Sequence, residues 1–181
     1  MNSITSKILN LLICILLTGC VYNTGPKNNQ EFANVADLQA FTGTYNNAGE
    51  PSGFLSDIIW PGELLSRSVV NIEVKLPHQK VLYVAALDRQ GGILKESFFK
   101  EGKDFKTCDG RICLKNSTRF VGGQAQDPML GIDNEYFELG LDRQGSGKFR
   151  SGGTAVGILY MIIPIAVSGK QDMRFAKIRE K

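Results

Sequence analysis

From Val70 onward the chain alternates. Val70, Ile72, Val74 and Leu76 are apolar, and Asn71, Glu73 and Lys75 between them are polar. A period of two puts each set on its own face of a strand, so the segment predicts a half-buried strand, closed by Pro77. Val81 to Leu87 is a continuous apolar run and predicts a central strand. Asp88-Arg89-Gln90-Gly91-Gly92 is turn chemistry, and Ile93 to Phe99 returns. Phe105 to Cys108 and Arg111 to Leu114 flank Asp109-Gly110, a strong short hairpin signal. Thr118 to Val121 predicts a further short strand. Glu135 to Leu141 alternates again, with Phe137, Leu139 and Leu141 on one face. Gly145 to Gly147 turns the chain, Lys148 to Ser151 returns, and Met173 to Ile178 is the final strand before the charged end Arg179-Glu180-Lys181.

Before this β-rich stretch, Phe41 to Tyr45 predicts a first strand, followed by the turn residues Asn46 to Pro51. Ser52 is placed to cap a short helix over residues 53–59, with Leu55, Ile58 and Ile59 on one face. Trp60 stands before Pro61, which disfavours helical backbone at Trp60 and ends the segment. Late in the chain, Thr154 to Ser168 carries no charge. It is too short for a spanning helix, and Gly157, Pro164 and the β-branched residues weaken one. The expectation is a strand pair packed inside the β domain, with Pro164 at a bend or edge.

Ala86-Leu87-Asp88-Arg89-Gln90-Gly91 is echoed by Gly140-Leu141-Asp142-Arg143-Gln144-Gly145. Both copies end a strand and begin a turn. Convergent hairpin chemistry explains this more simply than a duplicated half-barrel. Together these elements predict an all-β fold with one short helix near residues 53–59. It is a single antiparallel meander, either a barrel or a sandwich, of about eight short strands.

The N-terminal end is of another kind. After Lys7, Ile8 to Leu17 is apolar except for Asn10 and ends in Leu17-Thr18-Gly19-Cys20. A positive start, a short apolar core and a small-residue exit describe a secretory signal peptide. The tetrapeptide resembles the lipobox of bacterial lipoproteins, in which a signal peptidase cuts before the cysteine. The resemblance implies that residues 1–19 are removed and that Cys20 becomes an acylated, palmitate-bearing N-terminus. It also implies a membrane partner reached through that lipid. In such proteins an Asp after the cysteine favours the inner membrane. Val21 stands there instead, which points to the outer membrane and a periplasmic face. The Asn-rich, polar residues 20–36 read as a flexible tether, and 37–181 as the β domain. Gly43-Thr44-Tyr45 is loosely similar to the Gly-x-Trp opening of lipocalins, an antiparallel barrel family. The order of Gly-Thr-Tyr-Asn, Ile-Trp-Pro and a late apolar stretch with Pro resembles small all-β bacterial lipoproteins of unassigned function.

Composition adds limits. With 21 basic and 18 acidic side chains the formal net charge is +3, and no basic stripe appears, so nucleic acid is not an expected partner. Of four cysteines, Cys14 leaves with the signal and Cys20 is the lipid site. Cys108 and Cys113 remain, in an exported chain where disulfides persist. A two-residue loop at Asp109-Gly110 makes them diagonal neighbours on one face, and a four-residue loop sets them opposite. A three-residue loop would forbid the bridge.

Catalytic chemistry finds little support. His78, the only histidine, follows Pro77 between strands, with no Gly-x-Ser-x-Gly elbow anywhere. One histidine and two cysteines make an incomplete zinc set. Asp127, Asp133 and Glu135 read as a solvated acidic loop without an EF-hand pattern. Gly91-Gly92, Gly122-Gly123 and Gly152-Gly153 read as turn glycines, not as a phosphate cradle. The expectation is a non-enzyme without metal or cofactor. Two functions remain open: a module whose interior holds a lipid or other apolar envelope molecule, or a surface that assembles another envelope protein. An apolar cavity would favour the first. A filled core with an exposed apolar patch would favour the second.

Overall fold

The protein is seen in a computed structural model that describes residues 20–63, 65, 67–114, 116–122, 129–159 and 163–178. In chain order the strands are β1 (Cys20–Thr24), β2 (Gly43–Asn46), β3 (Asn71–His78), β4 (Val81–Leu87), β5 (Ile93–Lys100) and β6 (Lys106–Cys108). There follow β7 (Arg111–Cys113), β8 (Ser117–Gly122), β9 (Met129–Leu141), β10 (Gly147–Leu159), β11 (Ile163–Phe175) and β12 (Lys177–Ile178). A 3-10 turn spans Leu38–Phe41, and α1 spans Leu55–Ile59. The protein is all-β with two sheets. One has the order β12-β2-β3-β4-β5 and the other β1-β11-β10-β9-β7-β6, with β8 also on β9. Neither closes into a barrel among the described residues, so the sandwich-like alternative holds. Twelve strands stand among the described residues, against the expected eight or so: β1 lies in the stretch read as a tether, and Met173 to Ile178 is divided between the end of β11 and β12. β9, β10 and β11 are each 13 residues long.

Several local readings survive contact with the structure. The apolar run Val81–Leu87 is β4, central between β3 and β5, with Leu82, Val84, Ala85 and Ala86 all buried. The echoed turns are the same device twice. Asp88 Oδ1 accepts from the amides of Gln90 and Gly92, and Asp142 Oδ1 accepts from those of Gln144 and Ser146. Gly91 and Gly145 both take positive φ, 83° and 81°, which only glycine adopts without strain.

Other readings are corrected. Pro77 does not close its strand: β3 runs on to His78 through a register shift between Lys75 and His78. A bulge accommodates a residue without an amide proton. Ser52 does not cap α1. The helix begins after Phe54, which makes no side-chain cap bond, and Asn47 Oδ1 accepts the Ser56 amide at 2.8 Å instead. Gly152 and Gly153 lie inside β10, not in a turn, and Asp133 and Glu135 lie in β9, not in a loop.

The chain forms two compact units. The larger comprises the described residues of Thr24–Lys115, Tyr136–Ser151 and Gln171–Lys181. It holds the whole five-stranded sheet, and its core brings Tyr45, Ile72, Leu82 and Val84 together with Ile112, Leu141, Phe149 and Phe175 of the other sheet. The smaller comprises the described residues of Met1–Asn23, Asn116–Glu135 and Gly152–Lys170. Thr154 to Ser168 falls here. Its described residues form a strand pair as expected, but not a buried one, since Val156, Ile158 and Val167 are exposed. Strand pairing satisfies backbone groups edge to edge and does not require that a face be covered.

Candidate apolar cavity and the ionic face beside it

Within the larger unit lies a cavity of about 140 Å³. Tyr45, Val74, Leu82 and Val84 of the five-stranded sheet border it, as do Ile112, Leu139 and Phe175 of the other sheet. Leu55, Ile58 and Ile59 of α1 also line it, so the three helix residues that share a face in the sequence do meet at one place. Strand alternation supplies the rest, because inward positions at i and i+2 place Leu82 and Val84 side by side. The polar members are already engaged. The Tyr45 hydroxyl donates to the Phe41 carbonyl at 2.7 Å, and burial pushes its phenol well above the usual range, so it stays protonated. Asp104 accepts the Lys100 amide at 2.8 Å, and Lys148 pairs with Asp172 at 3.0 Å. The cavity therefore offers hydrocarbon and aromatic contact, not proton transfer.

An ionic cluster lies on β10 and β11 in the same unit, and sequence reasoning missed it. Asp172 is fully buried. It accepts from Arg150 Nε at 2.7 Å and Arg150 Nη2 at 3.0 Å, and from Asn29 Nδ2 at 2.7 Å. Burial alone would raise its carboxyl pKa, but hydrogen bonds from Arg150, Asn29 and Lys148 outweigh it and hold the group well below the usual range. The hydrogen bond to Asp172, followed by that to Glu31, raises the Arg150 guanidinium further. Asn29 and Glu31 come from the stretch read as a tether, as does Phe32, and the structure sets all three on this face. Three cations surround the Phe32 ring: Arg150 at 4.9 Å, Lys148 at 5.3 Å and Arg111 at 5.4 Å from its centroid. A Cβ on Gly140 would meet that ring at 2.6 Å, so only glycine leaves room for it. The one visible signal was Lys148-Phe149-Arg150, two cations two residues apart on a strand; their carboxylate, 22 residues beyond Arg150, could not be read from spacing.

Cys108 and Cys113 are bridged across the β6–β7 hairpin with their Cα atoms 6.0 Å apart. Cys108 pairs with Arg111 in register, so the loop has two residues and the cysteines are diagonal. Asp109 and Gly110 take φ of 47° and 73°, the hairpin turn that Asp-Gly favours. Glu138 lies close enough to make a three-ligand set with the two sulfurs. A disulfide offers no thiolate, however, and Glu138 already pairs with Arg111. His78 is exposed at the end of β3. Asp133 and Glu135 both bind Arg119, at 3.2 and 2.6 Å. Leu17, Thr18, Gly19 and Asp127 lie outside the described residues, and Cys20 opens β1. Comparison of the chain with protein-family models, curated proteins and solved structures returns no match.

Proposed function

We propose that this protein is an outer-membrane lipoprotein, anchored through Cys20, whose larger unit binds a small apolar molecule of the envelope. The observation that carries the binding role is the cavity of about 140 Å³ bordered by Tyr45, Leu82, Val84, Ile112 and Phe175. An apolar cavity of roughly 150 Å³ accommodates benzene. The occupant is therefore a single ring or the end of an alkyl chain, not a whole lipid. Leu17-Thr18-Gly19-Cys20 supports the anchor. Stable anchoring takes two or more acyl chains.

Two measurements test this. Metabolic labelling with a palmitate analogue should mark the wild type and not Cys20→Ser. Equal label on both would end the anchor reading. Benzene or hexanol added to the isotopically labelled protein should shift the NMR signals of Leu82, Val84 and Ile112 saturably. Val74→Leu with Val84→Leu, which adds two methylenes to the lining, should weaken that response. Unchanged spectra on adding either probe would end the binding reading.

A further inference from the structure

In the smaller unit, β9 and β10 lie side by side. A Cβ on Gly131 would meet the backbone of Val156 and Gly157, and one on Gly157 would meet that of Leu130 and Gly131. Gly131 is thus opposite Gly157, which sets Leu130 against Ile158 and Ile132 against Val156. Directly opposed residues share a face, so these four side chains form one apolar quartet. They are 42 to 55% exposed. The other face of the same strands carries Asp133 and Glu135, both paired with Arg119 of β8, which is in register with Asp133. The sheet is amphipathic. Among the residues whose side chains the structure describes, every buried hydrophobic one belongs to the larger unit.

We infer that the Leu130–Ile132–Val156–Ile158 face rests on the lipid surface, beside the acylated Cys20. The inference builds on the anchor reading above and adds a second membrane contact to it. Three observations select lipid over another occupant. Cys20 opens β1, whose residues up to Asn23 belong to this unit and which pairs with β11, so the acyl chains leave from the same sheet. Val21 and Tyr22 directly after it are 73 and 67% exposed, an aliphatic and an amphipathic aromatic side chain of the kind that suits a bilayer interface. The stretch from Thr154 to Ser168 carries no charge to repel the apolar phase, while the ion pairs occupy the opposite face. The unit lies on the interface and does not cross it, because an open sheet would leave edge amides and carbonyls without partners in hydrocarbon.

Acylated full-length protein carrying Val156→Trp or, separately, Ile132→Trp would be placed in phosphatidylethanolamine–phosphatidylglycerol vesicles with brominated acyl chains. Both positions are exposed, so the indole has room. The new tryptophan should emit at shorter wavelength and be largely quenched by the brominated lipid. Native Trp60, buried in the larger unit, is the internal reference and should keep its emission. Unquenched emission at both positions, with the protein still sedimenting with the vesicles, would overturn the inference and leave the anchor intact. Concentration-dependent burial of the new indoles without lipid would assign the face to a second copy instead, and so also overturn it. If Cys20 carries no acyl group, the anchor reading fails and the inference falls with it.

Discussion

Replacing Asp172 by Asn tests whether the ionic face holds the larger unit together. The carboxylate is fully buried and receives hydrogen bonds from Arg150, Asn29 and Lys148. Removing one partner of a buried ion pair leaves an uncompensated charge and costs about 3–5 kcal/mol. Here some compensation persists. Arg150 keeps Glu31 at 3.0 Å, and Lys148 keeps the Asn29 side-chain oxygen at 2.6 Å. The expected loss is therefore at the low end, about 3 kcal/mol. For a chain of this size that lowers Tm by roughly 6–12 °C. Urea and thermal unfolding followed by circular dichroism at pH 7 would measure it. The pH dependence adds a sign. Folding holds the Asp172 pKa below its ordinary value of 3.8. Its contribution is thus complete above about pH 4 and disappears as pH falls through the folded value. The gap between wild type and Asp172→Asn should accordingly be widest at neutral pH and narrow below pH 3.8. Exchange of the amides of residues 29–33 should quicken in the variant, since Asn29 loses its acceptor. A loss under about 1 kcal/mol at pH 7, with no change in that exchange, would refute the reasoning.

Three further variants separate local from tertiary contributions. Changing Cys108 and Cys113 together to Ser should cost about 2 kcal/mol from reopening so short a loop, and the non-reduced wild-type peptide should weigh two hydrogens less than its dithiol form. Asn47→Ala should cost about 2 kcal/mol, because the Ser56 amide and the Val69 carbonyl both lose a buried partner, whereas exposed Ser52→Ala should change stability by less than about 0.5 kcal/mol; equal effects at the two positions in chemical unfolding would contradict the capping assignment.

What the amino-acid order determines by itself is short-ranged. Val81–Leu87 is a strand because seven apolar residues lie between two turns, and Asp109-Gly110 turns because those residues tolerate positive φ. The paired Asp-Arg-Gln-Gly turns work for the same reason: donor, acceptor and glycine sit within five residues of one another. Even the cysteine bridge follows from the loop length that this turn enforces. Long-range pairings are different. Only the folded chain brings Asp172 to Asn29, 143 residues away, or lets Asn47 rather than Ser52 hold the start of α1. Burial is likewise not a property of a run of residues. Ile72 and Val156 both alternate with polar or small neighbours, yet Ile72 is fully buried and Val156 is 55% exposed. A strand's period says that two faces exist. Which face is covered, and by what, depends on a layer that comes from elsewhere in the chain, or, for the Val156 face, from the lipid surface inferred above.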